Sequence, residues 1–300
     1  MEIGVFGFVA DLASARREFA QAAADGFASY WVPQAFGPDS LTCIAVAGQE
    51  CAPMRIGTAV IPTYPRHPQM LAQQALTVND AIGGRLVLGI GPSHKPVIEG
   101  QWGMSFDKPI RHLREYLEIL MPLLDAQRAD VSGEVLTCRA EIAVPGAPAP
   151  KVMVSALGPQ LLKVTGRLCD GTITWMTGPN TIRDLTVPTM RAAAEETGRA
   201  EPEIVSGFPI CVTDAVDAAR ERAGRSFAIY GKLPSYRAML DREGYGGPAD
   251  IALVGGEDEV TERIEQLASV GVTTFAASPF GSRDERARTN ELLRSLMGKV

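Results

Sequence analysis

The chain has 300 residues, 46% of them hydrophobic and 21% charged, the composition of a globular protein with a large core. Its net charge of −6, with no run of Lys and Arg, argues against a nucleic-acid surface, and no apolar run approaches the ~20 residues of a membrane span. The opening MEIGVFGFVADLA has no basic leader and passes straight into a predicted strand, so no signal peptide and a cytoplasmic location are expected.

In chain order, strands are predicted at 3–9 (IGVFGFV), 29–32 (SYWV), 55–60 (RIGTAV), 85–90 (RLVLGI), 151–156 (KVMVSA), 170–175 (DGTITW), 204–212 (IVSGFPICV) and 273–278 (TTFAAS). These are apolar runs without polar alternation, as expected of strands buried on both faces. Helical stripes lie between them: Leu12, Ala15, Phe19, Ala22 and Ala23 form the first, and Leu71, Ala75, Val78 and Ile82 the next. Leu113, Leu117, Leu120, Met121 and Leu124 follow, then Val260, Ile264 and Leu267, and finally Leu292, Leu293 and Leu296. Pro68, Pro109 and Pro159 stand where a first helical turn begins, a position that tolerates proline.

Strand then helix, repeated eight times, predicts an α/β fold: a single (β/α)8 TIM barrel, one domain over 1–300. Three intervals are longer than a plain unit needs: 91–108 after strand four, 127–150 before strand five, and 227–257 before the last helix pair. The first follows a strand's C-terminal end, where it can cover an active-site face. The second alternates and carries turn residues, which predicts a small hairpin and a Pro-rich return.

Three segments bear on chemistry. In RLVLGIGPSHKP, 85–96, Gly89 and Gly91 suggest a dinucleotide loop, but G-x-G-x-x-G needs a third glycine where His94 stands. Pro92 and Pro96 also obstruct an immediate helix, the next stripe beginning only near Pro109, and no second strand arrives within the ~30 residues of a βαβ unit. The two glycines instead mark the mouth of strand four, where they either make the turn or let a flat ring approach the backbone. In VSALGPQLLKVTGRLCDG, 154–171, a helix opening at Pro159 offers free N–H groups to an anion. In GTAVIPTYPRHP, 57–68, the prolines allow a bulged strand end, followed by Arg66 and by His67, which serves as a helix cap, a surface residue or a site residue.

Other chemistries find no support. The five cysteines (Cys43, Cys51, Cys138, Cys169, Cys211) are scattered among apolar neighbours without a C-x-x-C pair, so they read as small buried hydrophobes. His67, His94 and His112 form no H-x-x-H or H-E-x-x-H pair, so no metal site is expected, and there is no G-x-S-x-G elbow.

Together, GTAVIPTYPRHP, PQMLAQQALTVNDAIGGRLVLGIG and SALGPQLLKVTGRLCDGTITW resemble the luciferase-like monooxygenase superfamily, in its branch using the deazaflavin coenzyme F420. The resemblance covers residues 1–180 and, more loosely, the last helix pair. YPRHP and the ALGP…DG block are most similar to the methylene-tetrahydromethanopterin reductase side. It implies a barrel, usually dimeric, that binds F420 or FMN at its C-terminal face and turns over a small-molecule substrate. By motif, the family's non-prolyl cis peptide falls at Ala59–Val60, behind the ring. Gly91, Pro92 and Ser93 border the ring, Gln34 lies at its polar edge, Trp175 forms a wall, and Ala156, Leu157, Gly158 and Pro159 meet the phosphate tail.

The chain departs from the sugar-phosphate dehydrogenases of this branch, which carry Asp-His after strand two and Gly-Glu after strand four. Here Gln34-Ala35 and Gly91-Pro92 stand at those places, so sugar dehydrogenation is not expected. Hydride transfer to an activated double bond asks only for positioning and at most one proton donor; His94, the nearest titratable group, is either that donor or a surface residue of the loop. The expected function is that of an F420-dependent oxidoreductase; an FMN-dependent monooxygenase and a non-catalytic cofactor-binding barrel are the alternatives.

Overall fold

Buried on both faces, the predicted apolar runs become parallel strands of one closed ring. The computed structural model describes residues 1–146 and 148–300. Barrel strands one to eight are Glu2–Phe6, Ser29–Val32, Arg55–Thr58, Leu86–Gly91, Lys151–Val154, Gly171–Trp175, Glu203–Val212 and Thr274–Pro279. Each pairs in parallel with the next, and strand eight returns to strand one with Glu2 opposite Thr274, closing the barrel. All six residues of strand four are buried, as a strand covered by barrel on one side and helices on the other must be. Pro68, Pro109 and Pro159 each open a helix, Pro68–Ala81, Pro109–Asp125 and Pro159–Leu168.

At the floor of the barrel the first residues of the odd strands meet. Arg55 bonds Glu2 and, at 3.2 Å, Glu203, whose other oxygen takes Lys151. Side chains from alternate strands fill a barrel in layers, and here the bottom layer is ionic.

Strand three carries an extra residue. Gly57 faces Val87, yet Ile61 faces Ile90, so four steps on one strand match three on its neighbour, a β-bulge. Strand three therefore stops at Thr58, short of the expected residue 60, and resumes as Ile61–Pro62. The Ala59–Val60 peptide within the bulge is cis.

The long intervals are resolved in kind. Arg128–Ser132 and Thr137–Glu141 form the expected antiparallel hairpin, whose tip is held by three backbone N–H groups donated to the buried Glu115 carboxylate. Ala147, in the expected Pro-rich return, lies outside the described residues. The interval 91–108 contains a helix, Lys95–Gly100, that the sequence reading placed no earlier than Pro109; Pro96 occupies its first turn and so does not obstruct it. The interval 227–257 holds the helix Pro234–Glu243 and a strand, Leu253–Gly255, which extends the upper end of strand seven. All five cysteines are buried, and among the described residues no helix is long and apolar enough to cross a membrane.

Candidate active site

A cavity of about 750 Å³ opens where the strands end. Its base is made by Ala59 and Val60 of the bulge, Gly91 at the end of strand four, and Ser155 just past strand five. The two glycines of strand four have separate duties. A Cβ on Gly89 would lie 1.8 Å from the Thr58 carbonyl oxygen, so Gly89 serves strand packing and does not border a ligand. A Cβ on Gly91 would meet only side chains, Val60 Cγ2 at 3.0 Å and Ser155 Cβ at 3.2 Å, and would fill the space between them. Glycine there leaves bare backbone at the cavity base, a cradle suited to a flat ring.

The walls come from the strand ends and the long segments. Phe6 ends strand one and stacks on Trp175, which ends strand six, with centroids 4.6 Å apart and planes 24° from parallel. The Trp175 Nε1–H is buried without a hydrogen-bond partner among the described residues. Gln34, after strand two, is pinned: its amide oxygen accepts the Ser40 backbone N–H at 2.8 Å and the Ser40 hydroxyl at 2.9 Å. These bonds hold it at the start of the helix Ser40–Ala47. Ser93 lines the mouth with φ at 61°, a left-handed conformation that a non-glycine residue adopts at a cost and that clusters at functional sites.

His94 faces the cavity beside Tyr236, ring centroids 5.7 Å apart. Burial pushes its pKa below the ordinary 6.5, so the neutral imidazole dominates at pH 7. In that form the ring carries one N–H and one free ring nitrogen. Arg66 also lines the cavity, but its guanidinium is committed to Asp39 and, at 2.7 Å, to Gln74. His67 is the cap of the helix Pro68–Ala81, its Nδ1 accepting the Gln69 N–H, and does not line the cavity.

Of the residues expected at the site, Gln34, Ala59, Val60, Gly91, Ser93, His94 and Trp175 come together in this cavity. Pro92, Ala156 and Leu157 are buried beside it, and Gly158 and Pro159 open the helix Pro159–Leu168 at the surface next to Ser155. The sequence reading did not single out Phe6, Phe8, Trp102, Tyr230 and Tyr236, all of them in the lining. The signal for the first pair was present as alternate aromatics in VFGF, at the end of strand one.

A second cavity, of about 700 Å³, lies between the first and last helices and shares Phe6 and Phe8 with the first. Its rim mixes Arg17 and Arg286 with Glu18 and Asp25, and Glu18 is already engaged by the Tyr30 hydroxyl at 2.6 Å. None of the residues expected at the site lines it.

A family model described as luciferase-like monooxygenase matches residues 3–274. A Mycobacterium tuberculosis protein assigned as a coenzyme F420-dependent oxidoreductase is 29% identical over 276 residues, covering 87% of this chain and 78% of its own. The 5,10-methylenetetrahydromethanopterin reductase of Methanolobus tindarius is 24% identical over 293 residues, 87% of this chain and 89% of its own. Among solved structures, the coenzyme F420-dependent tetrahydromethanopterin reductase of Methanopyrus kandleri superposes with a TM-score of 0.82 at 20% identity, covering 98% of this chain and 97% of that one.

Proposed function

Because the chain belongs to the luciferase-like monooxygenase family, we propose that it is an F420-dependent oxidoreductase that moves a hydride between the deazaflavin and a small organic substrate in the cavity at the strand ends. One observation carries this reading: the bare backbone of Gly91, set between Val60 and Ser155, where any side chain would fill the cradle. The relative named for F420 supports the choice of cofactor. When bound, the deazaflavin supplies a hydride donor or acceptor whose reactive ring atom is carbon where FMN has nitrogen, which makes it slow toward oxygen.

The protein's own contribution is positional. Ala59, Val60, Gly91, Pro92 and Ser93 would border the ring, with Gln34 fixed by Ser40 at its polar edge. Ala156, Leu157, Gly158 and Pro159 would receive the phosphate tail; the backbone N–H groups at the start of the ten-residue helix favour an anion there. Trp175, packed on Phe6, walls the cavity and keeps water from that side. His94, neutral at pH 7, would donate a hydrogen bond, and then a proton, to the substrate. Among the described residues the cavity lining holds no Asp or Glu, so hydride transfer here rests on orientation more than on an acid–base pair. A homodimer in the cytoplasm completes the proposal.

The test is a fluorescence titration of cofactor-free protein with F420 and, separately, with FMN. Tight F420 binding with weak FMN binding is the expected result. Preference for FMN would move the chain to the oxygen-using side of the family. Binding of F420 without turnover of any acceptor would leave a cofactor-binding barrel, and binding of neither sinks the proposal.

A further inference from the structure

An unbroken series of rings runs along the cavity. Phe8 lies edge-on to Phe6 at 6.0 Å, Phe6 stacks on Trp175 at 4.6 Å, and Trp175 meets Tyr230 at 6.2 Å. Tyr230 meets Tyr236 at 4.9 Å, and Tyr236 meets His94 at 5.7 Å. Leu233 and Ile229 complete the same side, and Trp102 comes from the segment after strand four. Such ring pairs are mutually stabilising and present broad apolar faces.

The charge inventory is equally one-sided. Among the described residues Arg66 is the single charged one of the lining, and Asp39 and Gln74 occupy it. Burial raises the pKa of both tyrosines, which keeps them uncharged, and leaves His94 neutral. An ionised substrate group entering this space would lose its water and find no free counter-charge, a transfer that strongly disfavours binding. An uncharged ring would lose nothing comparable and would gain apolar burial and ring stacking.

From this we infer that the substrate is an uncharged, largely apolar, ring-bearing molecule with one carbonyl-type acceptor, selected by the wall of Trp102, Tyr230, Leu233 and Tyr236. The acceptor is met by the His94 N–H. The inference deepens the function proposed above and rests on it for the reaction, but its test reads binding alone.

Three probes of one size separate the cases: 2-acetylnaphthalene, uncharged; 2-naphthoate, anionic; and 2-naphthylmethylammonium, cationic. Their affinities are measured by quenching of tryptophan fluorescence, with the protein free and saturated with F420. The uncharged ketone is expected to bind at least tenfold more tightly than either ion. Tyr236→Ala and Trp102→Ala should weaken it several-fold, and Leu233→Arg, which adds a free cation to the wall, should shift preference toward naphthoate. Equal or tighter binding of either ion, no binding of the ketone, or no response to Leu233→Arg overturns the inference. The F420 titration stands apart: a protein that prefers the ketone but binds no F420 refutes the cofactor assignment and leaves the substrate class intact.

Discussion

The Thr58 hydroxyl closes both backbone groups of Gly89, donating to its carbonyl at 2.7 Å and accepting its N–H at 2.9 Å. The bulge takes the backbone of strand three out of register at this point, and one side chain stands in for the missing ladder bonds. Thr58→Val keeps the shape and removes the hydroxyl, leaving a buried donor and acceptor without this partner. We expect a loss of about 2–4 kcal/mol, read by denaturant melting, with Thr58→Ser largely restoring stability. A Thr58→Val protein as stable as the parent would show that the bulge does not depend on this hydroxyl.

Gly89→Ala and Gly91→Ala should fail differently. The first puts a methyl against the Thr58 backbone and should destabilise by more than 2 kcal/mol or prevent folding. The second faces side chains that need give only a few tenths of an ångström, so its melting temperature should stay near that of the parent. F420 affinity of the Gly91 variant should nonetheless fall at least tenfold. Unchanged affinity would remove the cradle from the account.

His94 predicts a shape for the activity profile. With its pKa below 6.5 and its neutral form the donor, kcat/KM should be flat across pH 6.5–8. His94→Gln, which keeps an N–H but cannot relay a proton, should lower kcat more than it raises KM. An inflection centred on 6.5 in the parent would point instead to an exposed imidazolium.

His112 and Glu203 set two windows of acid sensitivity. His112 is buried, bonded to Thr63 at 3.0 Å and stacked on Tyr64 at 3.9 Å, and burial pushes its pKa down to about 4. The unfolded chain therefore binds the extra proton between pH ~6.5 and 4, so stability falls as pH drops through that range. His112→Gln should flatten the slope there.

Glu203 acts lower on the scale. Burial alone would raise its pKa, but Lys151 and Arg55 outweigh that and hold it below the ordinary carboxylate value. Its contribution is full above pH ~4.3, the unfolded value, and is lost as pH falls through the lower folded one. Glu203→Gln should cost about 1 kcal/mol at pH 7 and less near pH 3. A constant cost across that span would mean that packing, not the ion pairs, is what Glu203 provides.

The strands were legible because burial on both faces removes polar alternation, so RLVLGI and KVMVSA announce themselves. The prolines of GTAVIPTYPRHP allowed a bulged end to strand three but not its exact place, since a one-residue offset between Gly57 and Ile61 leaves no mark in composition; its cis peptide came from family resemblance. The helix Ser40–Ala47 shows no stripe because Leu41, Cys43, Ile44, Ala45, Val46 and Ala47 are all apolar, which leaves no polar face to set one off. Gln34, Gly91 and Trp175 were singled out by motif and line the cavity, but Phe6, Tyr230 and Tyr236 lie far apart in the chain and meet only once the barrel closes.

The ionic floor and the aromatic mouth share no residue. Glu2, Arg55, Lys151 and Glu203 begin strands, whereas Trp102, Tyr230 and Tyr236 sit in the two inserted segments. On the proposed reading, selectivity is thus written in segments that lie outside the ring of strands. A new preference could be installed by transplanting 91–108 and 227–257 between relatives, leaving the ring of strands as a reusable chassis.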